Sequence, residues 1–332
     1  MNETSLSAKK TFSRLGIVYT VMSVVVTVLQ FAVSWIGSKT LSSEIFNANV
    51  QVIISSGILY VAGMLILCLG LKAPEMQKLA LTKHKMSVGD LLKAFCMCYA
   101  VLIASNILGL MLTSVIGTIK GSQVVNPVEV LTSELSLPVL LVFTVVCAPI
   151  FEELFFRKFI IDRVVVYGEL TAILLSGFMF GLFHGNLSQF PYAFAIGIFF
   201  GFIYIRTGNI VYPMILHAMI NFFGSVASAF VMSGAGNDVL NDMMNAGAEA
   251  DIFGAISMES LMGLVGLLVF ELIIMIIVII GIILWILNGK KITLYTRRQD
   301  LPRGSRFSTA LGNPGMIAYI IVWIAMIIYS LF

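Results

Sequence analysis

Apolar runs long enough to cross a bilayer recur from one end of the 332-residue chain to the other, and nothing else limits its fold so severely. Crossing the hydrocarbon core takes about 17 to 25 residues of helix. Candidate spans cover residues 15–37, 50–71, 91–117, 137–163, 169–186, 190–206, 210–232, 261–288 and 314–332. Each run is continuously apolar and does not alternate. Its backbone hydrogen bonds must therefore close within a helix and not across the strands of a barrel. With 59% hydrophobic and 11% charged residues, a water-soluble globular domain is excluded. The expected fold is all-α, a polytopic transmembrane helical bundle of about eight to nine spans around a membrane-embedded polar cavity. Within this one membrane domain, residues 1–134 hold the N-terminal helices and 135–232 the polar core. Residues 233–332 hold an acidic outer loop, two C-terminal helices and a basic loop.

Charge sets the orientation. In the nine-span arrangement every Lys and Arg except Lys39 and Lys120 falls on one side, from Lys9, Lys10 and Arg14 through Lys72–Lys93, Arg157–Arg163 and Arg206 to Lys290–Arg306. The positive-inside rule makes that side cytoplasmic, with the N-terminus inside, the C-terminus outside and the plasma membrane as the expected location. On the opposite side, residues 233–260 carry Asp238, Asp242, Glu249, Asp251 and Glu259 without one Lys or Arg. These carboxylates lack the spacing of an EF-hand, so the segment reads as a solvated acidic loop. The basic stretch KKITLYTRRQDLPRGSRF (290–307) reads either as a topology determinant or as a contact with anionic headgroups. Membrane lipid is an expected partner; nucleic acid is not. No small-residue cleavage site follows a short apolar core near the N-terminus, so the first span reads as a retained signal anchor. Cys68, Cys96, Cys98 and Cys147 all fall in apolar spans and read as small hydrophobes, with no disulfide framework.

Against this background the stretch APIFEELFFRKFI (148–160) is anomalous. Each ionised carboxylate at mid-membrane costs roughly 2.5–3.5 kcal/mol on insertion scales, so Glu152 and Glu153 need compensation. Arg157 lies four residues after Glu153, where the two can pair along one helix face. That leaves Glu152 freer to face a cavity. Pro149 removes a backbone donor just upstream and is expected to bend the helix. Of the three histidines, His84 lies in the basic loop, while His184 and His217 lie in apolar spans. Phe180 and His184 are four apart, as are His217 and Asn221, so each pair shares a face. One chemistry has Glu152 and His184 bind and deprotonate a water while His217 and Asn221 hold the oxyanion of a tetrahedral intermediate. Another has imidazoles and a carboxylate ligate Zn²⁺ with one position left for water. A polar clamp between helices would use the same residues for structure alone. Neither HExxH nor a Gly-x-Ser-x-Gly elbow is present.

Taken in order, EELFFR (Glu152, Glu153, Arg157), FGLFH (Phe180, His184) and HAMIN (His217, Asn221) resemble the motif set of the CPBP intramembrane proteases, also called the Abi or CAAX type. That family includes the type II CAAX prenyl endopeptidase and bacteriocin-immunity relatives. The similarity spans about residues 135–232 and extends to GIFFGFIYIRTGNIVYPMILH, where Gly197 and Gly201 suit close helix packing. The resemblance implies an endopeptidase acting on membrane-associated proteins or peptides. It also implies that Glu152 and His184 activate water, that His217 and Asn221 stabilise the oxyanion, and that Glu153, Arg157 and Phe180 support them. A zinc-dependent and a metal-free glutamate mechanism fit the same residues. Two other functions are carried as alternatives: a non-proteolytic self-immunity or scaffold protein, and a proton-coupled transporter, against which the lack of an internal repeat speaks. Depth counting places His184 near the outer end of its span, away from Glu152 and His217. The three meet if that span is short or tilted and the GNLSQ turn (185–189) stays buried in a polar cavity.

Overall fold

The structure, a computed structural model, describes residues 3–76, 78–127, 130, 134–227, 258–295 and 299–332. Most of the acidic segment, together with Arg297 and Arg298, lies outside the described residues. All described regular structure is helical: α1 (Glu3–Thr40), α2 (Ala48–Gly70), α3 (Val88–Lys120), α4 (Leu137–Tyr167), α5 (Glu169–Phe183), α6 (Phe190–Thr207), α7 (Val211–Ala227), α8 (Met258–Asn288) and α9 (Pro314–Ser330). Each of the nine apolar segments of the sequence therefore holds a helix over most of its described residues. Six of them, α1, α2, α3, α4, α6 and α8, are long and apolar enough to cross a membrane. A seventh crossing arises if α9 is joined to the short helix Arg303–Ala310, from which it is bent by 66°. The chain is an integral membrane protein.

Local chemistry sets several helix ends. Ser87 caps α3 by accepting a hydrogen bond from the Asp90 N–H at 3.1 Å, and Gly121, at φ 76°, closes it in the left-handed conformation that glycine adopts without strain. Lipid-facing surfaces are apolar, as on α8, where Met262 is 69% and Ile286 72% exposed. Such exposure would be a liability in water and is the expected outer face of a bundle in a bilayer.

The basic ends of the helices come together. Arg14 Nε donates to the Gly70 carbonyl at 3.1 Å, the His84 N–H to Thr207 O at 2.8 Å and the Leu301 N–H to Tyr167 O at 3.2 Å. Arg206 pairs with the buried Glu169, and Lys158 with Asp162 at 2.7 Å. At the other end of the bundle Lys120 donates to the Leu331 carbonyl and sits over the Phe332 ring. The two lysines set apart in sequence, Lys39 and Lys120, thus close helices whose first residues lie in the basic cluster or beside it.

The helix pair that frames the polar core is α5–α6. A Cβ added to Gly197 would stand 2.9 Å from Gly177 Cα and 3.2 Å from Arg157 Nη2, so the backbones touch and leave room for a guanidinium beneath them. Only glycine permits that approach. With 15 residues, α5 is about 22 Å long and stops short of the far side.

Candidate active site

Two stretches of α4 are wound wider than an α-helix, Leu141–Cys147 and Glu153–Ile161, with one regular turn, Ala148–Glu152, between them. Wide turns of this kind gather at functional sites because they re-aim side chains without breaking the helix. Glu152 ends the regular turn and Glu153 begins the next wide one. The two adjacent carboxylates consequently have different surroundings: the Glu152 side chain keeps 17% of its exposure and Glu153 keeps none.

Glu153 is the buried anchor. Its Oε2 lies 3.1 Å from Arg157 Nε, and its Oε1 accepts a 2.9 Å hydrogen bond from His217 Nδ1. The local pairing with Arg157 follows from the spacing of four. The His217 bond, made across 64 residues of sequence, does not. Arg157 is itself fully buried, and its Nε, Nη1 and Nη2 have no hydrogen-bond partner among the described residues. Instead the guanidinium lies 4.2 Å from the Phe180 ring centroid and 5.3 Å from that of Phe200, so two aromatic faces take the place of water. Phe180 also meets His184 edge-on at 4.8 Å and His217 at 5.9 Å. It is the apolar hub of the cluster.

With Nδ1 donating to the Glu153 carboxylate, His217 turns Nε2 toward Glu152 Oε2 at 3.8 Å. His184 is held in the same fashion by a different acceptor: Nδ1 lies 2.9 Å from the Phe180 carbonyl, which as an acceptor places the proton on Nδ1 and leaves the Nε2 lone pair free. Glu152 and His184 make no direct hydrogen bond or ion pair with each other among the described residues. The carboxylate faces His217 instead.

Asn221, which the resemblance assigns to the oxyanion, donates from Nδ2 to the backbone carbonyl of Thr144 on α4 at 2.7 Å. The cause is an acceptor in the helix wall that competes for the amide.

The GNLSQ turn is buried within the bundle. Asn186 is 4% and Ser188 6% exposed. The Asn186 side-chain Oδ1 accepts from Ser188 Oγ at 2.8 Å and the Gln189 N–H at 2.9 Å, while its Nδ2 donates to His184 O at 2.9 Å. Ser188 backbone lies against Gly109, well inside α3. The turn thus satisfies its own polar groups at depth, as non-helical backbone in a membrane must.

Further residues near the site carried no sequence signal. Tyr60 stacks on Phe151, the residue before Glu152, with centroids 4.2 Å apart and planes 7° from parallel. The Tyr192 hydroxyl accepts from Gln189 Nε2, at the end of the GNLSQ turn, at 2.7 Å. Two cavities, of about 550 and 320 Å³, open elsewhere, the first beside Thr113 and Gly117 and the second beside Lys93 and Phe202. Neither is lined by Glu152 or His184.

Of the donors that could hold a metal ion, Glu153 is already engaged within the protein. Both Glu153 oxygens face Arg157 or His217, and among the described residues no three His, Cys, Asp or Glu side chains form a group that could hold a metal.

Residues 134–223 match the family model described as "Type II CAAX prenyl endopeptidase Rce1-like". The chain is similar to the "Putative membrane peptidase YdiL" of Bacillus subtilis (strain 168), at 30% identity over 110 residues, which covers 31% of this chain and 43% of that protein. It is also similar to the "Membrane-embedded CAAX protease MroQ" of Staphylococcus aureus (strain USA300), at 27% identity over 133 residues, covering 37% and 52% respectively. The chain thus spans about half the length of the curated relatives it matches. No solved structure matches it.

Proposed function

We propose that the chain, whose residues 134–223 match the Rce1-like family model, acts as a CPBP-type intramembrane endopeptidase that hydrolyses a peptide bond of a membrane-associated protein or peptide. The observation that carries this reading is the division of labour between adjacent carboxylates, one sealed by Arg157 and His217, the other partly exposed beside His217 Nε2.

Glu152 is the general base. A water within reach of its carboxylate and of His184 Nε2 would link the two groups that make no direct bond, and the attack on the scissile carbonyl delivers the water's proton to Glu152. His217, held by Glu153 through Nδ1, presents Nε2 to the reacting centre. When that nitrogen carries a proton it stabilises the oxyanion and serves the leaving amine. Glu153 acts as orienter and counter-charge, a carboxylate behind an imidazole, braced on its other side by Arg157. Phe180 and Phe200 wall the cluster from lipid. The N-terminus faces the cytoplasm in the plasma membrane, by the one-sided basic residues.

The test is to reconstitute the purified protein in liposomes with a library of membrane-anchored peptides and identify new termini by mass spectrometry, with and without a strong chelator. Cleavage that survives chelation is expected. Chelator-sensitive cleavage would contradict the metal-free mechanism, and no cleavage would favour the immunity or scaffold role.

A further inference from the structure

The Asn221 amide has a specific reason to be on Thr144. In the wide turns that end at Cys147, the Ala148 N–H bonds the carbonyl five residues back, on Phe143. The next donor in that register belongs to residue 149 and would take the Thr144 carbonyl. Residue 149 is proline and has no N–H. The carbonyl left open in the helix wall is the one that Asn221 Nδ2 fills at 2.7 Å. Around this bond Ser225 Oγ donates to Asn221 O at 2.5 Å and lies 3.3 Å from Thr144 Oγ1, while Thr144 Oγ1 donates to Leu140 O at 2.6 Å. α7 is therefore clasped to α4 at two points, Asn221 on Thr144 and His217 on Glu153, with Pro149 and Glu152 between them on α4.

We infer that Asn221 is a positioning residue, closing the backbone gap opened by Pro149 and thereby fixing the turn that presents Glu152, and that it does not donate to the reacting carbonyl. A membrane interior offers no water to fill such a gap, so an amide from the neighbouring helix is the available replacement. The activity side of this inference rests on the endopeptidase reading; its structural side does not.

A double-substitution cycle tests it. Asn221→Leu is expected to lower kcat about tenfold with KM little changed, since an orphaned buried acceptor is worth about that factor in the population of the competent geometry. Pro149→Ala returns an N–H to the helix, so in that background the loss from Asn221→Leu should shrink to about twofold. An equal fold-loss in both backgrounds would assign Asn221 to the oxyanion and overturn the inference. The same four proteins made with Glu152→Gln are compared by thermal unfolding in detergent. There the drop in midpoint caused by Asn221→Leu should be at least halved when residue 149 is alanine. Equal drops contradict the brace even if no substrate is ever cleaved, whereas absent cleavage with a coupled midpoint contradicts only the protease reading. Pro149→Ser supplies the same N–H should Pro149→Ala not fold.

Discussion

Replacing Arg157 by leucine should destabilise this protein more than almost any other single substitution. Both partners of the Arg157–Glu153 pair are without solvent exposure, and their separation is 3.1 Å. Leucine leaves a buried carboxylate whose remaining hydrogen bond is the one from His217 Nδ1. Breaking one side of a buried pair costs about 3–5 kcal/mol, and loss of the guanidinium from the Phe180 and Phe200 faces adds up to about 2 kcal/mol. A net loss of about 3–7 kcal/mol is therefore expected. The readout is equilibrium unfolding in mixed detergent micelles. Glu153→Gln combined with Arg157→Leu should recover at least half of the loss, because no charge is then stranded. Arg157→Lys should fall between, keeping the charge and losing the planar stack on the rings. A stability for Arg157→Leu within about 1 kcal/mol of wild type would refute the description of the cluster as a sealed ion pair.

Further outcomes follow from the other elements. Asn186→Ala removes the side chain that satisfies the buried 185–189 turn, so His184 should lose its register and cleavage should fall by about tenfold or more while Glu152 and His217 are untouched, as read by kcat at saturating substrate. Orientation is checked by labelling intact cells with a membrane-impermeant thiol reagent in a cysteine-free background. A cysteine at Lys39 should label at once and one at Lys290 only after permeabilisation, and the reverse pattern would invert the topology.

What could be read from residues alone was local or cumulative. Nine apolar runs declared nine helices because length and hydropathy act within each segment, and Glu153 and Arg157 met because four residues is one helical turn. The EExxxR, FxxxH and HxxxN sets were visible for the same reason. Tertiary pairings were not. His217 finds Glu153 across 64 positions, and Asn221 finds Thr144 through a backbone gap that exists only because the helix widens before Pro149. Periodicity assumes a uniform 3.6-residue helix, so it could not assign the acceptor of Asn221 or the stack of Tyr60 on Phe151. Hydropathy likewise marked residues 169–186 as a span. Helix α5 ends at Phe183, and the segment 184–189 turns inward on its own amides, which no average over apolarity reveals.

The central claim is that Glu152 takes the proton from the attacking water while Glu153 holds the machinery in place. Its most direct test is the cleavage rate of Glu152→Gln against wild type in liposomes, at equal folded concentration established by unfolding midpoint. Removing a general base should slow cleavage by about 10²- to 10⁴-fold while the midpoint stays near that of wild type, because Glu152 carries no structural ion pair with Arg157. A rate within about threefold of wild type, with the fold intact, would contradict the assignment of Glu152 as the base.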